Sequence, residues 1–321
     1  MRRAGGYRRD SPGEQQPLES PHQFRIGVDE AGYGPRLGPL VLGLVRIDGA
    51  QALSEVLRHV GEEGPTIIDS KKLYQGQLAR LEVAALSLFA CARAAQPRNL
   101  QEILQRAPAA LAEHPWYGDL DLPLPLAAES RAVDRASAAL WRALKRERVA
   151  LGAATVAPVL EGHFNAEVRR GLNKADLELA GIGELVQGHL PAAAKGLVLC
   201  DRLGGRRHYG EWLAGLHPFW SPGEKRERDT ESSYMLVQGR REIHYRFLVN
   251  GESVAAEIAA ASVLAKYVRE LMMHLFNRFW TRRKDGLKGT AGYPQDAERF
   301  LTALEGDGLL ASHRAVLVRS R

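Results

Sequence analysis

Residues 24–35 read Phe24-Arg25-Ile26-Gly27-Val28-Asp29-Glu30-Ala31-Gly32-Tyr33-Gly34-Pro35, an apolar run that ends on two adjacent carboxylates and a glycine-rich turn. Adjacent carboxylates repel each other unless a cation lies between them. The glycines around Tyr33 leave backbone N–H groups accessible and let a phosphate or a sugar approach closely. The stretch therefore predicts a buried strand that leads to a metal site beside a bound nucleic acid.

A second apolar run, Leu197-Val198-Leu199-Cys200-Asp201, also ends on a carboxylate. Side chains alternate between the faces of a strand, so Asp29 and Glu30 converge only if the chain turns there, which the following glycines permit. Three carboxylates at one rim of a sheet would suit two Mg²⁺ or Mn²⁺ ions and phosphodiester hydrolysis. On spacing alone, a strand-end turn with solvated carboxylates is an equally good interpretation.

Composition and charge narrow the class of protein. The 321 residues include 45% hydrophobic residues, enough for a sizeable core in one large or two modest domains. A formal net charge of +6 gives weak support for a polyanionic partner. The two cysteines, Cys91 and Cys200, indicate neither a disulfide framework nor a zinc site. No apolar run approaches the roughly twenty residues that span a bilayer, and residues 1–7 lack the apolar stretch of a signal peptide, so we expect a cytoplasmic protein without membrane association.

Predicted strands and helices alternate along the chain, which indicates an α/β fold. Residues 1–22 are rich in Arg, Gly, Pro, Gln and Ser and are predicted to form a flexible basic tail. Proline-broken helical pieces over about 97–147 predict a helical insertion. The elements expected around it are strands at 24–29, 40–47, 153–160 and 196–201, and helices at 51–60, 77–93, 129–148 and 176–190.

Residues 203–245 form a second long insertion, which is charged and rich in turn-forming residues. A solvated excursion of mixed charge is favoured by about two to one over a nucleic-acid-binding arm. A long helix is predicted from Ser253 to about Trp280, and its many alanines would let other elements approach closely.

Five ordered motifs resemble those of the ribonuclease HII family. The acidic stretch Asp29-Glu30-Ala31-Gly32-Tyr33-Gly34-Pro35 resembles the family signature Asp-Glu-Ala-Gly-Arg-Gly-Pro, with Tyr33 in place of Arg. The other matches are Asp69-Ser70-Lys71-Lys72-Leu73, the strand that ends at Asp201, Gly251-Glu252-Ser253 with the helical segment 257–266, and Gly292-Tyr293-Pro294 with His313-Arg314. Five matches in the family's order argue against chance similarity.

The resemblance implies a ribonuclease H-like fold over residues 23–321, with a mixed five-stranded sheet flanked by helices and insertions at about 97–147 and 203–245. It also implies that four carboxylates are catalytic and bind two divalent cations, Mg²⁺ or Mn²⁺: Asp29, Glu30, Asp201 and Glu252.

The fourth ligand position is Asp in ribonuclease HII and Glu in its relative ribonuclease HIII, so Glu252 fits the resemblance. Two other acidic residues lie on the helix that follows. We expect Glu257 and Glu270 to form surface or intrahelical pairs instead, with Glu270 bound to Lys266 one turn earlier.

Substrate recognition also follows from the resemblance. In the family, the glycine turn binds the ribose 2′-hydroxyl largely through backbone groups, and a later tyrosine stacks on the sugar; these positions are Gly32, Tyr33, Gly34 and Tyr293 here. Tyr33 removes the phosphate contact of the family's Arg, and Arg36 is a candidate replacement. Without the other matches, Tyr293 would be interpreted as an ordinary turn aromatic.

The second motif adds Ser70, Lys71 and Lys72 as expected substrate contacts, although exposed lysines often serve only solubility. The implied activity is metal-dependent hydrolysis of RNA in an RNA–DNA hybrid or at a ribonucleotide embedded in duplex DNA, giving 5′-phosphate and 3′-hydroxyl ends, by a monomer. A structure-specific DNA nuclease is the alternative favoured by Tyr33. A non-catalytic nucleic-acid-binding module ranks last, because all four carboxylates are present.

Overall fold

The computed structural model describes residues 22–192, 195–305, 308 and 310–320. The basic tail expected at 1–22 lies outside them apart from His22. The strands of the described part form one mixed sheet in the order β3-β2-β1-β4-β7-β6-β5. Their bounds are β1 (Phe24–Ala31), β2 (Leu40–Asp48), β3 (Ala150–Val159), β4 (Lys195–Asp201), β5 (Ser221–Glu227), β6 (Glu231–Gln238) and β7 (Arg241–Leu248).

Helices flank this sheet, as predicted. Their bounds are α1 (Leu53–Leu57), α2 (Ser70–Tyr74), α3 (Leu78–Arg93), α4 (Leu100–Leu104), α5 (Ser130–Arg146), α6 (Glu161–Arg169), α7 (Lys174–His189), α8 (Gly210–Leu216), α9 (Gly251–Val254), α10 (Ala256–Thr281), α11 (Pro294–Glu305) and α12 (Arg314–Leu317), with short 3-10 helices at Leu111–Glu113 and Pro115–Tyr117. No described helix has the length and apolar character needed to cross a membrane.

The mixed sheet with flanking helices is confirmed, but the expected strand number is wrong, because the sheet has seven strands. The difference lies in residues 203–245, which do not form a solvated excursion. They contain α8, β5 and β6 and lead into β7, so the charged segment extends the sheet. Strand β5 is exposed along nearly its whole length, and an exposed edge strand has no apolar alternation that would reveal it in the sequence.

The three central strands, β1, β4 and β7, run parallel to one another. In their register Val28 lies beside Cys200, and Asp201 lies beside Leu248. The carboxyl ends of the three strands therefore lie at one edge of the sheet, which is where ligands bind in sheets of this kind.

Strand β2 shows how the two faces of the sheet are covered. Val41 and Val45 belong to the apolar core shared with α3, α5 and α10, whereas Leu42 and Leu44 belong to the core shared with α7. Helix α10 lies directly against β1, because a Cβ atom added to Gly27 would be only 2.1 Å from the backbone of Glu257. Glycine at this position therefore fixes α10 close to the strand that carries the acidic pair.

Candidate active site

The four carboxylates of the sequence motifs lie at the carboxyl ends of the three parallel strands. Asp29 and Glu30 belong to the end of β1, and Asp201 is the last residue of β4. Glu252 lies in α9, which follows β7 after two residues. We call these four residues the acidic cluster.

The acidic pair lies within β1, and the turn that the sequence suggested at this point comes later. Strand β1 continues to Ala31, and Gly32 is the first residue of the turn, with φ of 95°. Successive side chains in a strand point to opposite faces. Asp29 accordingly interacts with Ser262 of α10, whereas Glu30 interacts with Glu178 of α7.

Each of three carboxylates in the cluster accepts a short hydrogen bond from the protein. The contacts are Glu30 N to Asp29 Oδ1 at 2.8 Å, Gly251 N to Asp201 Oδ1 at 2.6 Å, and Ser262 Oγ to Glu252 Oε2 at 3.1 Å. These donors fix the carboxylates at the rim of the sheet. Ser262 Oγ and Ser70 Oγ also lie within hydrogen-bond distance, at 2.9 Å, so the second motif reaches the cluster through α10.

Burial and mutual repulsion both disfavour ionisation of these carboxyl groups. Burial and the neighbouring Glu30 raise the pKa of Asp29 well above its ordinary range. Burial and Glu30 also raise the pKa of Asp201, and burial and Asp69 raise that of Glu252. Carboxylates whose charged forms destabilise one another in this way are a donor set suited to a hard divalent cation.

The spacing of the carboxylates supports a metal site less well than their chemistry does. Among the residues that the structure describes, no three His, Cys, Asp or Glu side chains are grouped closely enough to hold a metal ion as they stand. The three carboxylates bonded to Glu30 N, Gly251 N and Ser262 Oγ point toward those donors.

Glu178 is a carboxyl group near the cluster that the sequence did not reveal. It lies on α7 and is buried, and burial and the Glu30 carboxylate raise its pKa well above the ordinary range. In the sequence, Glu178 has the pattern of an ordinary glutamate in a helix. Only the packing of α7 across the end of β1 brings it to Glu30.

Two expectations for other acidic residues have different outcomes. Glu270 pairs with Lys266 Nζ at 2.5 Å, as expected. Glu257 was expected at the surface or in an intrahelical pair, and this is wrong: it is buried and accepts a hydrogen bond from Leu53 N at 2.8 Å. Its carboxylate satisfies an amide at the start of α1, which is a long-range contact that helical spacing does not encode.

The second motif is placed beside the cluster by a helix cap. Asp69 accepts hydrogen bonds from Lys71 N at 2.8 Å and Lys72 N at 3.3 Å and so begins α2. Burial lowers the pKa of Lys71 while Glu252 and Asp69 raise it, and the net shift is upward, so its ammonium group lies in the field of the acids. The ammonium group of Lys72 is exposed and lies 3.7 Å from the Asp69 carboxylate.

Tyr33, which stands where the ribonuclease HII signature has Arg, contacts a lysine. Lys174 Nζ, at the start of α7, lies 3.9 Å from the centroid of the Tyr33 ring and donates a hydrogen bond to the Tyr33 carbonyl oxygen. Among the described residues, neither the Tyr33 amide nor the Gly34 amide donates to another protein atom. These amides are therefore available to a ligand.

Tyr293 is brought to the same turn. Arg36 N donates to Gly292 O at 2.7 Å, which joins the two segments, and a Cβ added to Gly34 would lie 3.9 Å from the Tyr293 ring. The Tyr293 side chain is 49% exposed, unusual for a large aromatic ring in a turn. Arg36 Nη1 pairs with the carboxylate of the exposed Glu298 at 2.9 Å.

Comparisons with known proteins found similarity in structure but none in sequence. No protein-family model and no curated protein sequence matches the chain. In structure, the chain is similar to RNase HII of Archaeoglobus fulgidus, solved with PCNA, at 14% identity and a TM-score of 0.47, over 93% of this chain and 94% of that one. It is also similar to ribonuclease H2 of Pyrococcus horikoshii OT3 (16%, 0.44, over 91% and 96%) and to Bst-RNase HIII solved with Mn²⁺ (16%, 0.43, over 93% and 66%).

These are ribonucleases of the types that the sequence motifs resemble. Because the identities reach only 16% and the TM-scores stay below 0.5, we base the functional proposal on this chain's own motifs and geometry.

Proposed function

We propose that this protein is a metal-dependent endonuclease that hydrolyses RNA phosphodiester bonds in RNA–DNA hybrids or at ribonucleotides embedded in duplex DNA. The observation that supports this most strongly is the meeting of four distant motif segments at one edge of the sheet. The four are the acidic pair with its glycine turn, the Ser70–Lys71 segment, Asp201 with Glu252, and Tyr293. Glu30 acts on Asp201, Ser262 links Ser70 to Glu252, and Tyr293 lies beside Gly34.

Asp29, Glu30, Asp201 and Glu252 would hold the divalent cations, Mg²⁺ or Mn²⁺. Such ions supply an activated water and stabilise the leaving oxygen in phosphodiester hydrolysis. The chain's own contribution is positional. The amides of Glu30 and Gly251 fix two of these carboxylates, and a shift of their position by one ångström would be costly for the reaction.

The glycine turn would bind the ribose next to this centre. The free amides of Tyr33 and Gly34 can donate to a 2′-hydroxyl, a group that deoxyribose lacks. The exposed ring of Tyr293 lies beside the turn and can pack against the sugar. Lys71 is placed to contact a backbone phosphate beside the acidic cluster.

The test is cleavage of three labelled duplexes: DNA with one embedded ribonucleotide, an RNA–DNA hybrid, and DNA alone, each with Mg²⁺, Mn²⁺ or EDTA. We expect cutting only of the substrates that contain ribose, only with a divalent cation, and with 5′-phosphate and 3′-hydroxyl products. Cutting of the all-DNA duplex would favour the structure-specific DNA nuclease instead. Binding without cutting of any duplex would favour the non-catalytic module.

A further inference from the structure

A cavity of about 240 Å³ lies beside the glycine turn, and three basic residues line it. They are Arg36, Lys174 and Arg319, which come from the turn, from α7 and from the end of the described chain. We call it the basic cavity. Gly34, Phe164 and Pro294 form the rest of its wall together with Pro35 and Ser320. Its volume is several times the roughly 30 Å³ that one water molecule occupies in the liquid.

Arg319 has more donors than the protein satisfies. Its guanidinium group is buried, and Nη2 donates to the carbonyl oxygens of Gly32 and Pro35. Among the described residues, its Nε and Nη1 have no hydrogen-bond partner. Because the positive charge of Arg319 is buried in the wall of this cavity, an anion bound there would stabilise it.

Lys174 adds a second positive charge near Arg319. Burial and the Arg319 charge lower the pKa of Lys174, and burial lowers the pKa of Arg319 to about 10. The acids near these two groups are Glu178 and Glu30 beside Lys174, and Glu161 beside Arg319.

Glu161 is the acid that acts on Arg319, and its carboxylate also accepts hydrogen bonds from Gly38 N at 3.1 Å and Tyr117 Oη at 2.9 Å. In the part of the chain that the structure describes, the Arg36 guanidinium group pairs with Glu298, which is exposed. An exposed pair of this kind contributes little and is readily exchanged for another partner.

We propose that the basic cavity binds one backbone phosphate of the nucleic acid, with Lys174 and Arg319 as its principal donors. This inference rests on the proposed function, because it assumes that a polynucleotide lies across the turn. It assigns to the α7 residue Lys174 the phosphate contact for which the sequence suggested Arg36. The same two side chains hold the carbonyl oxygens of Gly32 and Tyr33, so binding at the cavity would also set the position of the turn amides.

The test is equilibrium binding of a duplex with one ribonucleotide, measured in EDTA so that no cleavage is needed. Lys174→Gln should weaken binding about tenfold, the loss expected for one charge-assisted contact. It should also reduce the slope of log affinity against log salt by about 0.9, the value for one phosphate. Lys174→Arg should retain most of the affinity.

Lys145→Gln is the matched control, because Lys145 also lies over an aromatic ring, 3.7 Å from the centroid of Trp141, but belongs to α5. It should leave the affinity and the salt slope unchanged. A loss in this control equal to that of Lys174→Gln would overturn the proposal.

A neutral methylphosphonate placed at successive linkages of the ribose-containing strand identifies the phosphate. At one linkage, the methylphosphonate should weaken binding of the natural protein as much as Lys174→Gln does. The same methylphosphonate should not weaken binding of the Lys174→Gln variant any further, because both changes remove the same contact. If no linkage shows this coupling, the proposal is wrong. The cavity then binds a free phosphate ion or nothing, or Lys174→Gln weakens binding only by disturbing the turn.

The outcome is independent of cleavage. Coupling without any cleavage of the ribose-containing duplexes would support the cavity and contradict the proposed nuclease. Cleavage without coupling would contradict the cavity alone.

Discussion

The acidic cluster and the basic cavity both adjoin the glycine turn and gather charges of opposite sign. In the cluster, carboxyl groups raise one another's pKa. In the cavity, the charge of Arg319 lowers the pKa of Lys174 in the same way, although burial contributes more. The proposed ligand, a polynucleotide with its divalent cations, complements both regions. Its cations would bind the acidic cluster, and one of its phosphates would bind the basic cavity.

The two regions differ in how their residues reach the site. The cluster is built on the ends of three parallel strands, whereas the cavity is built from the turn, the first residue of α7 and residues near the end of the chain. We therefore expect substitutions in the cluster to affect the chemical step and substitutions in the cavity to affect binding.

The largest effect is expected in the cluster. Asp201→Asn should lower the rate of cleavage about 100-fold or more, because it removes a charged ligand while the amide can still accept the hydrogen bond from Gly251 N. Asp134→Asn, at an exposed position on α5, is the control and should keep full activity. Rates are measured at saturating substrate, and a thermal melt checks the fold. Equal rates for the two variants would remove Asp201 from the catalytic centre.

A smaller effect is expected in the turn that separates the two regions. Gly32 has φ of 95°, and an added Cβ would lie 2.6 Å from both Arg269 Nε and Pro39 O, whereas at Gly34 the nearest atom would be 3.9 Å away. Gly32→Ala should therefore reduce the preference for ribose over deoxyribose about tenfold, since a non-glycine residue in this conformation costs roughly 1–2 kcal/mol. Gly34→Ala should reduce it much less.

The measurement for the turn is the ratio of affinities for duplexes with and without the ribonucleotide. We also expect Tyr33→Ala to change that ratio less than Gly32→Ala does. Equal ratios for the three variants would mean that the backbone of the turn does not read the sugar.

The smallest effect is expected at Glu178, which lies between the two regions. Glu178 interacts with Glu30 but belongs to none of the motifs, so Glu178→Gln should change the cleavage rate by about threefold at most. Glu184→Gln, at an exposed position one to two turns later on α7, is the comparison. A 100-fold loss in the first variant alone would make Glu178 a fifth essential carboxylate and would extend the acidic cluster onto α7.

Three of the four residues in the cluster are marked by local sequence patterns, whereas the residues of the cavity are not, for a physical reason. Asp29, Glu30 and Asp201 end apolar runs, and Asp69 precedes a short helix, so their positions follow from local patterns. Lys174 and Arg319 have no local pattern, because they meet only after α7 and the end of the chain pack against the turn. The burial of Glu257 and the exposed strand β5 were missed for the same reason, since each depends on contacts between distant segments.

The most direct test of this account is calorimetric titration of Mn²⁺ into the natural protein and into Asp29→Asn. We predict saturable binding to the natural protein and binding at least about tenfold weaker in the variant, because one charged ligand is lost while the fold is retained. Asp134→Asn should bind like the natural protein. No saturable binding to the natural protein, or equal binding to the natural protein and Asp29→Asn, would contradict the claim that the acidic cluster is a divalent-cation site.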